Sequence, residues 1–422
     1  MLRKPRLVVV SHVLPFPGNS GQQQRVAYTL KAARELFEVH FVTFAPKAQK
    51  DECRQRLSAH CDRPIVLDSA CAARTPARLL RWARATAYAL RTGLKRSNFL
   101  IGKVELSAER ILNAVQPGDY ACALFEYFHA ADSTTVFRSV GVPSVLDMHN
   151  ILWKEREQRL SEKAFLPEAV RKRRLAKYRA AEESAWRKFD AVIAINRIEF
   201  QYVSELASRS IRVFYAPMGT DLTLWPDCWQ PAAPPRLGYY GGLGGSHNEA
   251  GALRCHEHIM PVIWKRFPDA ELWLVGSNPS GRLRRLAADP RVKVTGFVEQ
   301  VQKVLATMSL VLCPWSGTYG FRSRIVEVMA LGVPVVATPD AVDGMELGSG
   351  RGVMLVGSDE AMAERALELL SAPERLSEQS RLARSEMERL YSLENTYGRL
   401  MTELREWLEE RQEKAETLKT ES

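Results

Sequence analysis

The chain has 422 residues, 46% hydrophobic and 26% charged, with a net charge of +10. That length suits two globular domains better than one, each able to bury its own core, and no apolar run is long enough to cross a bilayer. The charge favours anionic partners, but no nucleic-acid-binding motif accompanies it, and seven scattered cysteines with no CxxC spacing exclude a zinc or disulfide framework. A reduced, cytoplasmic protein with no nucleic-acid partner is the expectation.

The basic start Met1–Arg6 runs into Leu7–Val10. This apolar run is too short for a secretory leader and is broken by His12, Pro15 and Pro17, so it predicts a buried strand, Leu7–Ser11. A helix over Gln22–Leu36 and a strand over Val39–Phe44 follow. The intervening loop ends Gly18-Asn19-Ser20-Gly21 and offers backbone N–H groups and a helix N-terminus to an anion. It is not GxGxxG, so an ordinary dinucleotide fold is not indicated; a plain turn reads equally well.

Arg74 to Lys95 carries Arg74, Arg78, Arg81, Arg84, Arg91 and Lys95 among Leu, Ala, Trp82 and Tyr88, with no acid. It reads as a cationic amphipathic helix able to rest on anionic lipid, or as a solvated face packed on its domain. Further strands are predicted at Cys122–Phe125, Ser144–Leu146 and Ala191–Ala194. Asp147 and His149 stand just past one of these ends, and His129 and His12 past others, where a side chain faces a ligand crevice.

Residues 222–236 are proline-rich and aperiodic and read as a linker. Strands are predicted beyond it at Leu237–Tyr240, Glu271–Val275, Val292–Thr295, Leu310–Cys313 and Val333–Ala337. The first of these enters Gly241-Gly242-Leu243-Gly244-Gly245, a turn whose amides suit a diphosphate, with a helix from about Glu249. Leu310–Cys313 enters a loop and then a helix from about Phe321, with Arg322 and Arg324 in its first turn. Cations are unfavourable there unless an anion binds. Glu327, three residues after Arg324 on the same face, can accept two ribose hydroxyls; the alternative is a weak surface pair of Arg324 and Glu327. Strand–helix alternation throughout predicts an α/β protein with two Rossmann-like domains and a ligand cleft between them. The domains are placed at 1–221 and 237–395, followed by a helix and polar tail over 396–422 that frays from Glu409.

Tyr319-Gly320-Phe321, then Glu327-Val328-Met329-Ala330-Leu331-Gly332-Val333-Pro334-Val335, resembles the hallmark E-G-F-G-x-x-x-x-E-A-M-A-x-G-x-P-V of the family 4 glycosyltransferases, which have the GT-B fold. Val275-Gly276-Ser277, Val294-Thr295-Gly296-Phe297-Val298 and Pro217-Met218-Gly219-Thr220-Asp221 resemble other segments of that family. A subgroup from exopolysaccharide gene clusters is similar around Glu327. The resemblance covers residues 6 to 400, thinly between 45 and 120.

The resemblance implies a retaining glycosyltransferase with a nucleotide-sugar donor and no metal or other cofactor. It implies a final helix crossing back to the first domain; the acceptor is expected to be a saccharide, lipid-linked or other molecule, the lipid-linked option following from a membrane contact of the basic Arg74–Lys95 segment. On this basis Glu327 holds the ribose, and Gly320 and Phe321 present amides to the sugar or phosphate. Gly241, Gly242 and Gly21 approach the diphosphate, Val298 lies beside the base, and His149 faces the transferred sugar. Two departures stand out. Tyr319 replaces the leading acid of the motif, and the Arg and Lys expected after the glycine turn are missing. Arg324, with Arg322, is expected to replace that charge. Tyr319 also motivates a second reading, a nucleotide-sugar-binding protein with impaired catalysis.

Overall fold

A computed structural model describes residues 3–72, 77–161, 167–207, 211–317 and 321–420. The chain forms two compact units, Met1–Pro217 with Tyr397–Ser422, and Met218–Thr396.

The first unit holds seven strands: β1 (Arg6–Val10), β2 (Glu38–Ala45), β3 (Arg63–Asp68), β4 (Cys122–Glu126), β5 (Ser144–Asp147), β6 (Ala191–Ala194) and β7 (Arg212–Tyr215). They lie in the order β3-β2-β1-β4-β5-β6-β7, and every pairing is parallel. The apolar runs of β1 and β4 do not alternate because helices cover both faces of such a sheet. The strand order reverses between β1 and β4, so this pair marks the switch point at which open α/β sheets take ligands.

The second unit holds β8 (Arg236–Tyr240), β9 (Glu271–Val275), β10 (Val292–Gly296), β11 (Leu310–Cys313), β12 (Val335–Ala337) and β13 (Val353–Leu355). Their order, β10-β9-β8-β11-β12-β13, is that of a dinucleotide-binding sheet, with the reversal between β8 and β11. Gly276 (φ 154°) is required where β9 ends, since a Cβ there would lie 1.6 Å from the Gly241 carbonyl oxygen. That close approach fixes the start of the glycine turn.

Several local expectations shift. The helix after the glycine turn begins at Ser246, not Glu249. The helix carrying Glu327 is Ser323–Ala330, so Arg322 is its N-cap and only Arg324 lies in the first turn. Residues 222–235 form no helix or strand but are pinned to the second unit. Trp225 is buried, Trp229 Nε1 donates to the Met308 carbonyl at 2.8 Å, and Gln230 N donates to the Ala306 carbonyl at 2.9 Å. The final helix, Arg399–Thr420, continues through the expected frayed tail. It buries Leu400, Met401, Leu404 and Leu408, and Trp407 packs edge-on against Phe214 of β7 at 5.9 Å.

Candidate functional site

In the second unit the strand ends at the switch point carry most of the expected residues. Beyond β8, Asn248 Nδ2 donates to the Gly242 carbonyl at 2.9 Å, and its Oδ1 accepts from the Tyr239 hydroxyl at 3.4 Å. Trp315 Nε1, just past β11, donates to the same hydroxyl at 2.6 Å. These bonds tie the glycine turn to the β11 loop. A Cβ on Gly242 would meet nothing within 4 Å, so the turn is open on that side to an approaching group.

Glu327 is 3% exposed. Its Oε2 accepts from Arg324 Nη1 at 2.8 Å, and Arg324 Nη1 also donates to the Tyr240 hydroxyl at 2.5 Å. The pair is therefore not the surface pair of the alternative reading, because one partner is buried. Burial, reinforced by the Glu327 charge, pushes the Tyr240 phenol far above its usual range. Tyr240 was missed by sequence reasoning. Its signal was present, as the last residue of a strand entering a glycine turn.

Arg324 is thus occupied by Glu327 and Tyr240. Arg322 is the less compensated cation. Its Nη2 donates to the Gly317 carbonyl at 2.9 Å and its guanidinium lies 4.7 Å from the Trp315 ring centroid. Its Nε is buried with no partner among the described residues. Burial lowers its pKa, against the pull of nearby acidic groups that include Asp340 and Asp343. The neighbouring Arg254 is neutralised by two bonds to Asp359, at 2.6 and 3.1 Å. Arg322 and Arg254, with His247, Asn248, Trp315 and Ser316, line a concavity of about 330 Å³, counted with the solvent at its mouth. A desolvated guanidinium in such a pocket favours an anion.

Tyr319 and Gly320 lie outside the described residues. Phe321 is half-buried, its ring 5.9 Å from Tyr391. Val298 is half-buried two residues past β10, beside Phe297, which is 70% exposed.

In the first unit, Gly21 opens the helix Gly21–Leu36, whose N-cap Ser20 accepts from Gln23 N. Arg25 on this helix is fully buried and grips Asp147 of β5, with Nε 2.9 and 2.8 Å from the two carboxylate oxygens. Burial opposes the Arg25 charge, but Asp147 and Tyr397 outweigh it and raise the pKa further. His149 is buried two residues beyond β5, its Nε2 2.5 Å from Glu126 Oε2 at the end of β4. Burial, then the nearby Asp147, raises the Glu126 pKa against the opposing pull of His149. The His149 ring stacks on Tyr127 at 4.2 Å, and His12 stacks on His129 at 4.9 Å. Burial, with His149 nearby, holds His12 down at about 4, and burial also keeps His129 well below its usual value. All three histidines thus gather at the β1–β4–β5 strand ends. The sequence could not pair His149 with Glu126, because the two lie on different strands.

Ligating atoms of Glu126, Asp147 and His149 lie within 4.8 Å of one another. Asp147 is closed by Arg25 and Glu126 by His149, and a fixed guanidinium beside the group opposes a cation. The trio is a closed hydrogen-bonded network, poorly suited to hold a metal.

The basic segment forms the helix Ala77–Thr92; Arg74 lies outside the described residues. Leu79, Trp82, Ala83, Thr86, Ala87 and Leu90 share one face by helical spacing. That face points away from the protein: Leu79 is 82% and Leu90 74% exposed. Ala85 is buried on the other side, where Arg81 Nη1 donates to the Ala70 carbonyl at 2.6 Å. Arg78, Arg84 and Arg91 are exposed beside the apolar face. No helix among the described residues is long and apolar enough to cross a membrane.

Two parallel, doubly wound units of seven and six strands define the GT-B fold of glycosyltransferases. Residues 234–372, which contain the glycine turn, Arg322, Arg324 and Glu327, match the family described as Glycosyl transferases group 1. No curated protein sequence matches the chain. Among solved structures, sucrose-phosphate synthase from Thermosynechococcus elongatus is similar at 18% identity and a TM-score of 0.64, over 96% of this chain and 99% of that one. HepE of Anabaena, in complex with UDP-glucose, is similar at 16% identity and a TM-score of 0.60, over 95% and 99%. A UDP-forming α,α-trehalose-phosphate synthase from Burkholderia vietnamiensis is similar at 12% identity and a TM-score of 0.60, over 94% and 96%.

Proposed function

We propose that this protein is a retaining glycosyltransferase that moves a sugar from a nucleotide-sugar donor to a saccharide or lipid-linked acceptor, without a metal or other cofactor. The observation that carries the reading is Glu327, a buried carboxylate in the first turns of a helix at the switch point of the second unit. There it accepts the ribose hydroxyls, as the family 4 resemblance implies. The open Gly241–Gly242 turn receives the diphosphate, and Val298 lies beside the base. UDP is the first nucleotide to test, since it is the one bound by HepE.

Departure of the diphosphate develops negative charge. A preorganised guanidinium and main-chain amides stabilise that charge in place of a metal. Arg322 is the better placed cation for this, and Arg324 instead orients Glu327. The leaving phosphate takes the acceptor proton, so His149 orients sugar and no dedicated base is required. The outward apolar face of Ala77–Thr92, flanked by arginines, rests on anionic lipid at the cytoplasmic side of a membrane, which suits a lipid-linked acceptor.

A thermal-shift panel of nucleoside diphosphates and nucleotide-sugars tests the reading, because a ligand that binds only the folded state raises the melting temperature by mass action. Stabilisation by one diphosphate and its sugar conjugate is expected; a panel without any shift overturns it. Tyr319 favours one other reading, a nucleotide-sugar-binding protein with impaired catalysis. Such a protein would bind the donor yet neither hydrolyse nor transfer it.

A further inference from the structure

We propose that Glu126 is a positioning residue for His149: its carboxylate holds the proton on Nε2 and leaves Nδ1 as a lone-pair acceptor for a sugar hydroxyl. This deepens the glycosyltransferase reading and rests on it.

The geometry has three parts. The Nε2 to Oε2 distance is 2.5 Å, and Glu126 is buried, so nothing dilutes the pairing. The other carboxylate oxygen, Oε1, is buried without a partner among the described residues, so the imidazole is the carboxylate's main hydrogen-bond commitment. Nδ1 of His149 makes no hydrogen bond among the described residues.

The backbone supplies an independent sign. Tyr127, directly after Glu126, has φ 69°, and His149 has φ 58°. Positive φ is strained for residues with side chains and is found where a site over-determines the conformation. Here the two strained residues end adjacent parallel strands, and their rings stack at 15° to each other. The stack fixes the ring plane, and the carboxylate fixes which nitrogen carries the proton. The surrounding titratable groups are Arg25 and Asp147, which neutralise each other, and His12 and His129, which burial keeps neutral. A ring so held reads a hydroxyl's direction as well as its presence.

The test combines Glu126→Gln and Glu126→Asp with ¹⁵N spectra of histidine-labelled protein, His149 being assigned by its loss in His149→Ala. In the native protein the His149 ring is expected to show Nε2–H and a bare Nδ1. Glu126→Gln is expected to shift the ring toward the other tautomer or a mixture, as an amide does in place of a triad carboxylate. Transfer turnover falls at least 10-fold with donor KM unchanged, and Glu126→Asp recovers part of it. A native ring protonated on Nδ1, or a Gln variant with native spectrum and turnover, overturns the proposal. If the Gln variant does not fold, the native spectrum and the Asp variant still decide it. A native protein that turns over no donor removes the proposed function instead, while the spectra still report on the pair.

Discussion

Replacing Glu327 by Ala tests the ribose contact most directly. A hydrogen bond to a charged group contributes about 1.5–3 kcal/mol, so two ribose hydroxyls offer about 3–6 kcal/mol. The carboxylate is not free beforehand, because Arg324 Nη1 already donates to it at 2.8 Å. Ribose must share or displace that bond, which places the net loss nearer about 3 kcal/mol, or roughly 100-fold in affinity. Calorimetric titration with a nucleoside diphosphate and its 2′-deoxy analogue separates this contact from a general disturbance. The native protein should prefer the ribose form by about 10-fold or more. The Ala variant should bind both forms alike, closing a double-mutant cycle between side chain and hydroxyl. If the variant weakens both ligands equally and keeps the native preference, Glu327 does not hold ribose and the site assignment fails. Glu327→Gln guards against misfolding, since it keeps the shape and one acceptor oxygen.

Arg322→Ala should weaken a nucleoside diphosphate by about 1.5–3 kcal/mol, one charge-assisted contact, while leaving the parent nucleoside unaffected in the same titration; equal losses would exclude a phosphate contact. Glu182, which accepts Leu152 N and Trp153 N, is pushed up to about 8 by burial, and Glu199, which accepts Ile151 N, to about 7. Both folded pKa values exceed the unfolded value near 4.5, so the folded state binds more protons. Their contribution is complete below about pH 4.5 and is lost as pH rises through 7 and 8, at about 1.4 kcal/mol for each pH unit that separates the folded from the unfolded value. Denaturant midpoints from pH 5 to 8 should therefore fall more steeply in the native protein than in Glu182→Gln; parallel curves would rule this out. Leu79→Ser with Leu90→Ser should cost about 1.5–3 kcal/mol per side chain in binding to anionic vesicles, read by co-sedimentation. Native protein that fails to sediment with such vesicles removes the membrane contact.

Strand–helix alternation exposed the sheets because a strand buried on both faces must be an unbroken apolar run, as in Leu7–Val10 and Leu310–Cys313. The strands the sequence did not reveal, β3, β7 and β13, all lie at sheet edges. An edge is partly solvated and needs fewer apolar residues, and β3 even accommodates Pro64. Glu327 was legible because its motif is local, one continuous run from Tyr319 to Val335. Arg322 and Arg324 were legible as charges but not in their division of labour. That division depends on Tyr240, 84 residues before Arg324 in the chain. The Glu126–His149 pair was invisible for the same reason, since only the β4–β5 pairing brings the two together.

The two switch points differ in how their charge is balanced, and this difference argues for which ligand each receives. At β1 and β4, the buried charges among the described residues are partnered: Arg25 with Asp147, and Glu126 with His149. The remaining imidazoles, His12 and His129, are held neutral by burial. An anion would find no free cation among these groups, while a sugar finds hydrogen-bonding rings and aromatic faces. At β8 and β11, Arg254 is neutralised by Asp359, yet Arg322 keeps a buried donor without a partner among the described residues, beside an open glycine turn. Leaving a desolvated guanidinium group unsatisfied is costly, and that cost is recovered when a phosphate arrives. Arg322→Met should accordingly raise the melting temperature of the unliganded protein while reducing the stabilisation given by a nucleoside diphosphate. A variant that melts lower without ligand, and still responds to the nucleotide, would show that Arg322 is a structural cation and that the diphosphate is held elsewhere.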